Sequence, residues 1–285
     1  MSERNDVGVL PVTAQVLAPS LAAGRRRSVR RRDLRRRAVG ILGLAVALGV
    51  WQLAALQLDT VIFPTFTSSL SAVGELLSGP ALTNDILPSI GRVLVGFAIS
   101  AVVGVAVGLT LGYVRWLGDY LSAVLNFLRS VPAPLLIPAA LAVFGLGAKM
   151  VIAVIVSAAV WPVLLNAFDA ARRIEPLFLD TARVSGLRRA ELFRRVLLPA
   201  TLPSIFAGLR VALSVSLAVL VVAEILGASS GIGYFIQSAA QTFKVQQTYA
   251  GVIILGCLGW FFDTTFLFVE HRLLAWERGM TGRST

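Results

Sequence analysis

Long uncharged apolar runs alternate with short charged segments along the chain. Ala38–Leu58 lies between Arg37 and Asp59, Val93–Val114 between Arg92 and Arg115, Ser130–Ala148 between Arg129 and Lys149, and Met150–Phe168 between Lys149 and Asp169. A fifth run from about Leu209 to Leu226 contains Glu224, and a sixth from about Tyr249 to Val269 contains Asp263. About 20 apolar residues in a helix cross a hydrocarbon core, so each run is long enough to span. In lipid every backbone N–H and C=O must be satisfied within the segment or in a closed barrel. These runs are continuously apolar, without the alternation that a barrel strand requires. The pattern predicts an all-α membrane protein with six transmembrane helices.

Composition narrows the class further. Of 285 residues, 56% are hydrophobic and 14% are charged, against about 25% charged in ordinary soluble domains. That leaves too little polar surface for a water-exposed globule of this size, and it equally excludes a disordered chain, a coiled coil, a collagen-like rod and a disulfide-stapled domain. Cys257 is the single cysteine, so no internal disulfide can form, and His271 is the single histidine, which leaves little scope for a metal site.

The charges assign an orientation. Residues 1–37 carry ten arginines, nine of them in the triplets Arg25–Arg27, Arg30–Arg32 and Arg35–Arg37, against Glu3, Asp6 and Asp33. A basic run of this kind can bind nucleic acid or belong to a signal peptide. An apolar stretch of 21 residues follows at once, longer than the apolar core of a signal peptide, and more spans come after it. The run therefore reads as a cytoplasmic anchor of an uncleaved first helix, with no nucleic-acid partner. With the N-terminus inside, the inner segments 1–37, 115–129, 169–208 and 270–285 hold 22 of the 26 Lys and Arg residues. This is the positive-inside distribution, and a five-span arrangement would scatter it. The expectation is a multi-pass plasma (inner) membrane protein of a bacterium with both termini cytoplasmic, a tail over 1–37 without fixed structure, and a transmembrane domain over 38–285.

Two stretches depart from plain spans. Pro132, Pro134 and Pro138 fall in the first nine residues of the third run. Proline removes a helix hydrogen bond, and such breaks survive in a membrane only where protein or water covers the freed backbone. Pro134 and Pro138 are thus candidates for a broken helix beside a pathway, or else for an entry kink at the membrane surface. The outer segment 59–92, with Pro64, Gly79-Pro80 and Asn84, predicts a loop plus a helix along the interface. No internal repeat supports an inverted-repeat secondary transporter.

The inner segment 169–208 reads as two short helices. Pro176 suits the first turn of one, and Gly186 its end, where φ > 0 is often needed. The second is expected to start near Arg189 and stop before Pro199, with Leu192, Phe193 and Val196 on its apolar face and Glu191 pairing with Arg195 at i, i+4. Such a helix inside the cell should dock on a partner or lie on membrane lipid.

The spacing here resembles a family motif. Asp180-Thr181-Ala182, three residues, Gly186, nine residues, Val196, one residue and Leu198-Pro199 resemble the EAA motif of the permease subunits of binding-protein-dependent ABC importers. Asp180, Thr181 and Val196 depart conservatively from Glu, Ala and Ile. Arg129 to Pro138, Phe144 to Gly147, Val222 to Tyr234 and the ending Asp263 to Trp276 resemble the sulfonate, taurine and nitrate branch. The resemblance covers about residues 60–278.

It implies a type I ABC importer permease fold, with Asp180, Thr181, Ala182, Arg183, Gly186, Val196, Leu198 and Pro199 in the loop that couples to a cytoplasmic ATPase. It further implies two ATPase subunits that carry ATP and Mg, a second permease copy, most simply an identical one, and an extracytoplasmic solute-binding protein. The solute would be an aliphatic sulfonate, taurine or nitrate-type anion, or in similar-looking relatives a pyrimidine-type vitamin precursor.

The chain itself carries no Gly-x-x-x-x-Gly-Lys-Ser/Thr loop, so it cannot hold ATP phosphates in the P-loop manner, and no nucleophile–base pair marks an enzyme. Glu224 and Asp263 are the acids within spans. A carboxylate there is costly unless it faces protein or water, so each is either a pathway residue or a structural hydrogen-bonding group. An ion-gradient-driven transporter with Glu224 as carrier acid is the competing reading. Arg92 and Arg210 could supply positive charge, or snorkel to the surface from near span ends.

Overall fold

The computed structural model describes residues 38–58, 60, 62–174, 184, 186 and 188–275. Among them the backbone forms helices and turns, with no strand. The chain divides into two compact units, Met1–Thr67 and Ser68–Thr285. In the first, α1 (Ala38–Leu58) is an apolar helix of spanning length. Its Trp51 packs against Phe63 and Phe66 at ring separations of 6.3 and 5.5 Å, and the indole N–H donates to the Pro64 carbonyl at 3.1 Å.

Helix α2 (Phe66–Ser78) is followed by α3, which begins as a π turn at Leu82–Ile86 and continues as Leu87–Tyr113. Then come α4 (Arg115–Arg129), a 3-10 turn (Ala133–Leu136), α5 (Ile137–Phe144) and α6 (Ala148–Arg172). A helical turn at Arg189–Leu192 and a π turn at Phe193–Leu197 lead into α7 (Leu198–Gly227), followed by α8 (Ile232–Gln241) and α9 (Val245–Leu273). Among the described residues five helices are long and apolar enough to cross a membrane, or six where the bent pair α4–α5 counts as one span.

The core of the second unit is α6 between α3 and α7. Gly96, Ser100, Gly104, Gly108 and Gly112 recur every fourth residue, so they form one small-residue seam along α3. A Cβ built on Gly104 would lie 2.7 Å from Val163 Cβ, and one on Gly112 2.6 Å from the Phe168 carbonyl oxygen. On the other side of α6, a Cβ on Gly208 of α7 would lie 2.7 Å from the Pro162 carbonyl oxygen. Helices in lipid gain little from apolar burial, so close backbone approach through small residues is how they associate. Val93, Met150, Val151, Val154, Ile155, Leu213 and Leu220 fill the space beyond the seam.

Several expected boundaries shift, each for an identifiable reason. The second span begins at Leu82 rather than Val93, because Arg92 is buried and paired inside the fold and so does not mark a membrane surface. The expected third span, 130–148, is not one helix. It is broken at Pro132 (φ −62°, ψ 124°), and 115–129, expected as an inner segment, is itself a helix set at 81° to the following one. Pro132 and Pro134 lack N–H donors and disfavour helical geometry in the residues before them, whereas Pro138 sits harmlessly in the first turn of α5. Gly145 (φ +70°) and Gly147 (φ +120°) close that element.

The helix from Arg189 does not stop before Pro199. The Leu198 N–H bonds back to the Phe193 carbonyl, and this wide turn moves the carbonyl of Arg195 away from the proline ring. Leu87-Pro88 repeats the device, with the Leu87 N–H bonded to Leu82. A proline ring clashes with the carbonyl four residues back, and in both places a π turn immediately before it relieves the clash.

Gly104→Leu is expected to overpack the α3–α6 seam and cost about 1–3 kcal/mol, whereas Gly91→Leu on the same helix, where an added Cβ meets open space, should stay within about 0.5 kcal/mol. Thermal unfolding of the two variants in detergent compares them. Equal midpoints would show that the seam is not tight.

Candidate functional site

Glu224 lies in the last turn of α7 and is fully enclosed. Three groups surround its carboxylate. Ser89 Oγ lies 2.8 Å from Oε1 and 2.9 Å from Oε2. Arg92 Nη1 donates to Oε1 at 2.6 Å, and the Gly233 N–H donates to Oε2 at 2.9 Å. Ser89 Oγ in turn accepts the Ile232 N–H at 2.8 Å. Arg92 also reaches across to Ser230, Nη1 to the carbonyl at 2.7 Å and Nη2 to Oγ at 2.8 Å. One turn earlier, Asp85 Oδ1 accepts the Gly231 N–H at 3.0 Å.

The local sequence accounts for this cluster. Asp85, Ser89 and Arg92 follow i, i+4, i+7, which places them on one face of α3. The first N–H groups of α8 have no partners within their own helix, and the positive end of the helix dipole favours an anion there. Glu224 and Ser89 receive those donors. Gly231 turns the chain with φ +119°, and a Cβ on it would fall on the Glu224 carboxylate. The arrangement contains no nucleophile and no base free to act. It ties α3, α7 and α8 together by charge.

The other pathway candidates lie elsewhere. Asp263 of α9 pairs with Arg210 of α7 through two hydrogen bonds, from Nε at 3.0 Å and from Nη2 at 3.2 Å. Arg210 is 14 residues, about 21 Å of helix, from Glu224. Pro134, on the 3-10 turn, and Pro138, on the short α5, are both exposed. The fold therefore does not gather these four residues into one constellation. Among the described residues, no three His, Cys, Asp or Glu side chains gather as a metal site.

In the expected coupling segment, Asp180, Thr181, Ala182 and Arg183 lie outside the described residues. Gly186 has φ +80°, the left-handed turn expected of it. The Arg188 N–H donates to Glu191 Oε2 at 3.1 Å, and Glu191 faces Arg195 at 3.8 Å. Leu192 and Leu197 point inward, Val196 is half-buried, and Phe193, Arg194 and Arg195 are exposed. The outward face is thus basic and aromatic, not the purely apolar stripe expected. Leu198 and Pro199 open α7.

The family model described as "Binding-protein-dependent transport system inner membrane component" matches residues 101–274, more than half of the chain. The chain belongs to this family. It is an all-α permease subunit of an ABC importer, a class whose members are not enzymes and whose ATPase is a separate subunit. Over 93% of its length the permease is 31% identical to the putative aliphatic sulfonates transport permease SsuC of Bacillus subtilis, covering 98% of that protein. It is 30% identical to the nitrate import permease NrtB of Synechocystis over 83% of this chain and 89% of the relative. Against the bicarbonate transport system permease CmpB of Synechococcus elongatus it is 35% identical over 66% and 68%. A solved chain of the MetNI methionine ABC transporter in an inward-facing conformation superposes with a TM-score of 0.59 at 20% identity, over 68% of this permease and 95% of that chain. At that identity the match speaks for the fold.

Sequence reasoning missed the partnership of Arg92. The opposite charges of Arg92 and Glu224, both within apolar surroundings, were the available signal. Arg92 does not snorkel; it is buried against Glu224. Arg92→Met should leave the carboxylate buried and uncompensated at a cost of about 3–5 kcal/mol, while Arg92→Met with Glu224→Gln should recover at least half of it. Thermal unfolding of the single and double variants measures this. A double variant no more stable than Arg92→Met would rule out the ion pair as the source of the loss.

Proposed function

We propose that this permease forms the path by which an ABC importer takes up a small oxyanion, of the aliphatic sulfonate, taurine or nitrate type. The observation that carries the reading is the match over most of the chain to relatives named for sulfonates and nitrate, joined over about two thirds of it by one named for bicarbonate, solutes that share a compact head of negatively charged oxygens. The complex would hold two copies of this chain, two ATPase subunits against the segment Asp180 to Pro199, and an external solute-binding protein, with both termini of the permease in the cytoplasm. The basic residues concentrated in the inner segments support that orientation.

Closure of the ATPase dimer on ATP would push the coupling segments together. From Phe193 the chain runs without a break into α7, so a push at Phe193–Leu197 is delivered to a helix that reaches Glu224. The π turn at its base is the weakest link in that rod and would set how much motion is passed on. Glu224 enters this scheme as a fastening between helices. The ion-gradient reading, with Glu224 as carrier acid, loses support because the carboxylate is enclosed and fully hydrogen-bonded. No relative described above is named for a pyrimidine-type vitamin precursor.

Purification of the tagged chain in mild detergent, followed by native mass spectrometry, is expected to give two copies of it with two ATPase subunits. A chain that brings down no ATPase, under conditions that keep a control importer intact, would overturn the reading. Uptake of labelled taurine, an alkanesulfonate and nitrate then identifies the solute. Gly186→Asp puts a side chain where φ is +80°. It should abolish uptake while leaving membrane insertion unchanged, and wild-type uptake at equal expression would count against the coupling role.

A further inference from the structure

The Arg210–Asp263 pair occupies a surface where lipid is disfavoured. Arg210 lies about 18 Å from the start of α7 and about 25 Å from its end, and Asp263 about 15 Å from the end of α9. Both therefore fall within a hydrocarbon layer of about 30 Å. Their side chains are nevertheless 47% and 43% exposed. Charged groups at that depth face water or protein. Along α7 the neighbouring exposed positions include Ala207, Ser214 and Ala218, small side chains that leave room beside the guanidinium.

The pairing leaves part of the guanidinium unused. Asp263 takes Nε and Nη2, and Nη1 makes no hydrogen bond among the described residues. An arginine fork suits an oxyanion better than a lysine does, because its donors match two oxygens at once. Asp263 meanwhile neutralises the guanidinium and Glu270 of α9 acts on it as well, so an anion would be attracted only weakly. A transport path needs that balance, since a solute that binds too well does not leave.

We propose that this face of α7 and α9 lines the water-filled pathway and that Arg210, through Nη1, is a transit contact for the oxyanion. The proposal rests on the anion-importer reading, and it can be tested without knowing the solute. Ser214 lies one turn from Arg210 on the same exposed face, its hydroxyl 3.4 Å from the Arg210 carbonyl. Cys257 is exposed and would also react, so the test uses Cys257→Ala as background. Into it goes Ser214→Cys, in the full chain with its co-purifying subunits, in liposomes. The probes are sulfonatoethyl methanethiosulfonate, itself an alkylsulfonate, and its trimethylammonium counterpart, each rate divided by that of a free thiol.

The introduced thiol should react with both reagents and favour the sulfonate. Arg210→Gln should lower the anion-to-cation ratio about tenfold, as expected for removing one nearby charge in a partly wet site. Arg210→Lys should retain most of the ratio, and Asp263→Asn should raise it. A rate with the cationic reagent that holds or rises in Arg210→Gln shows that the variant is folded and the thiol still accessible. Absence of reaction with either reagent would overturn the proposal, the face then being covered by lipid, by a second copy or by another part of the chain. Reaction with a ratio indifferent to Arg210 would overturn the anion contact. Charge-selective labelling in a chain that brings down no ATPase would instead overturn the importer reading and leave the site standing.

Discussion

A buried ion pair governs the junction of α3, α7 and α8 in this permease. Arg92 and Glu224 are 132 residues apart in sequence, and each alone would be costly in a membrane-spanning segment. Together with Ser89, Ser230 and the first N–H groups of α8 they offset most of that cost, because the carboxylate meets three donor groups and the guanidinium three acceptor atoms, with Arg92 Nε left without a partner among the described residues. The offset requires all the parts. It fixes the face of α3 that turns inward, the position of the end of α7 and the point where α8 begins. It also imposes glycine at 231, since any side chain there would occupy the space of the carboxylate.

Around this fastening, the helices are held by shape. The four-residue repeat of small side chains on α3 lets α6 approach at backbone distance, and Gly208 does the same for α7. Dispersion contacts and complementary surfaces replace the hydrophobic drive that lipid cannot supply. The prolines are used differently at different sites. Pro88 and Pro199 follow π turns that keep their helices continuous, while Pro132 ends a helix and turns the chain by 81°. The difference lies at the ring: a widened turn with a relocated hydrogen bond precedes it in the first two cases, whereas in the third the proline itself is extended.

Charge has two distinct uses in the same molecule. Between the spans and in residues 1–37, arginines are numerous, the kind of distribution that sets orientation in membrane proteins. Within the spans, each of Arg92 and Arg210 is matched by one acid, the first pair enclosed and the second half-exposed. Enclosure suits a fastening between helices. Exposure at membrane depth suits a wet surface, and the two pairs divide these roles about 21 Å apart along one helix.

Much of this protein was legible from the order of its residues. The length of the apolar runs required helices in a membrane, because backbone polar groups have no other partner there. The distribution of arginine predicted an orientation, and the spacing around Gly186 and Pro199 identified the family. The left-handed turn at Gly186 followed from glycine's freedom at positive φ. Span boundaries were less legible, since in a one-dimensional pattern a charged residue reads as a surface, and Arg92 and Arg210 mark none. A one-dimensional pattern does not say that two opposite charges more than a hundred residues apart will meet, nor whether a proline will bend a helix or be absorbed by a π turn. Those outcomes depend on which carbonyls, donors and side chains the packed helices bring within reach, and only the tertiary structure decided them.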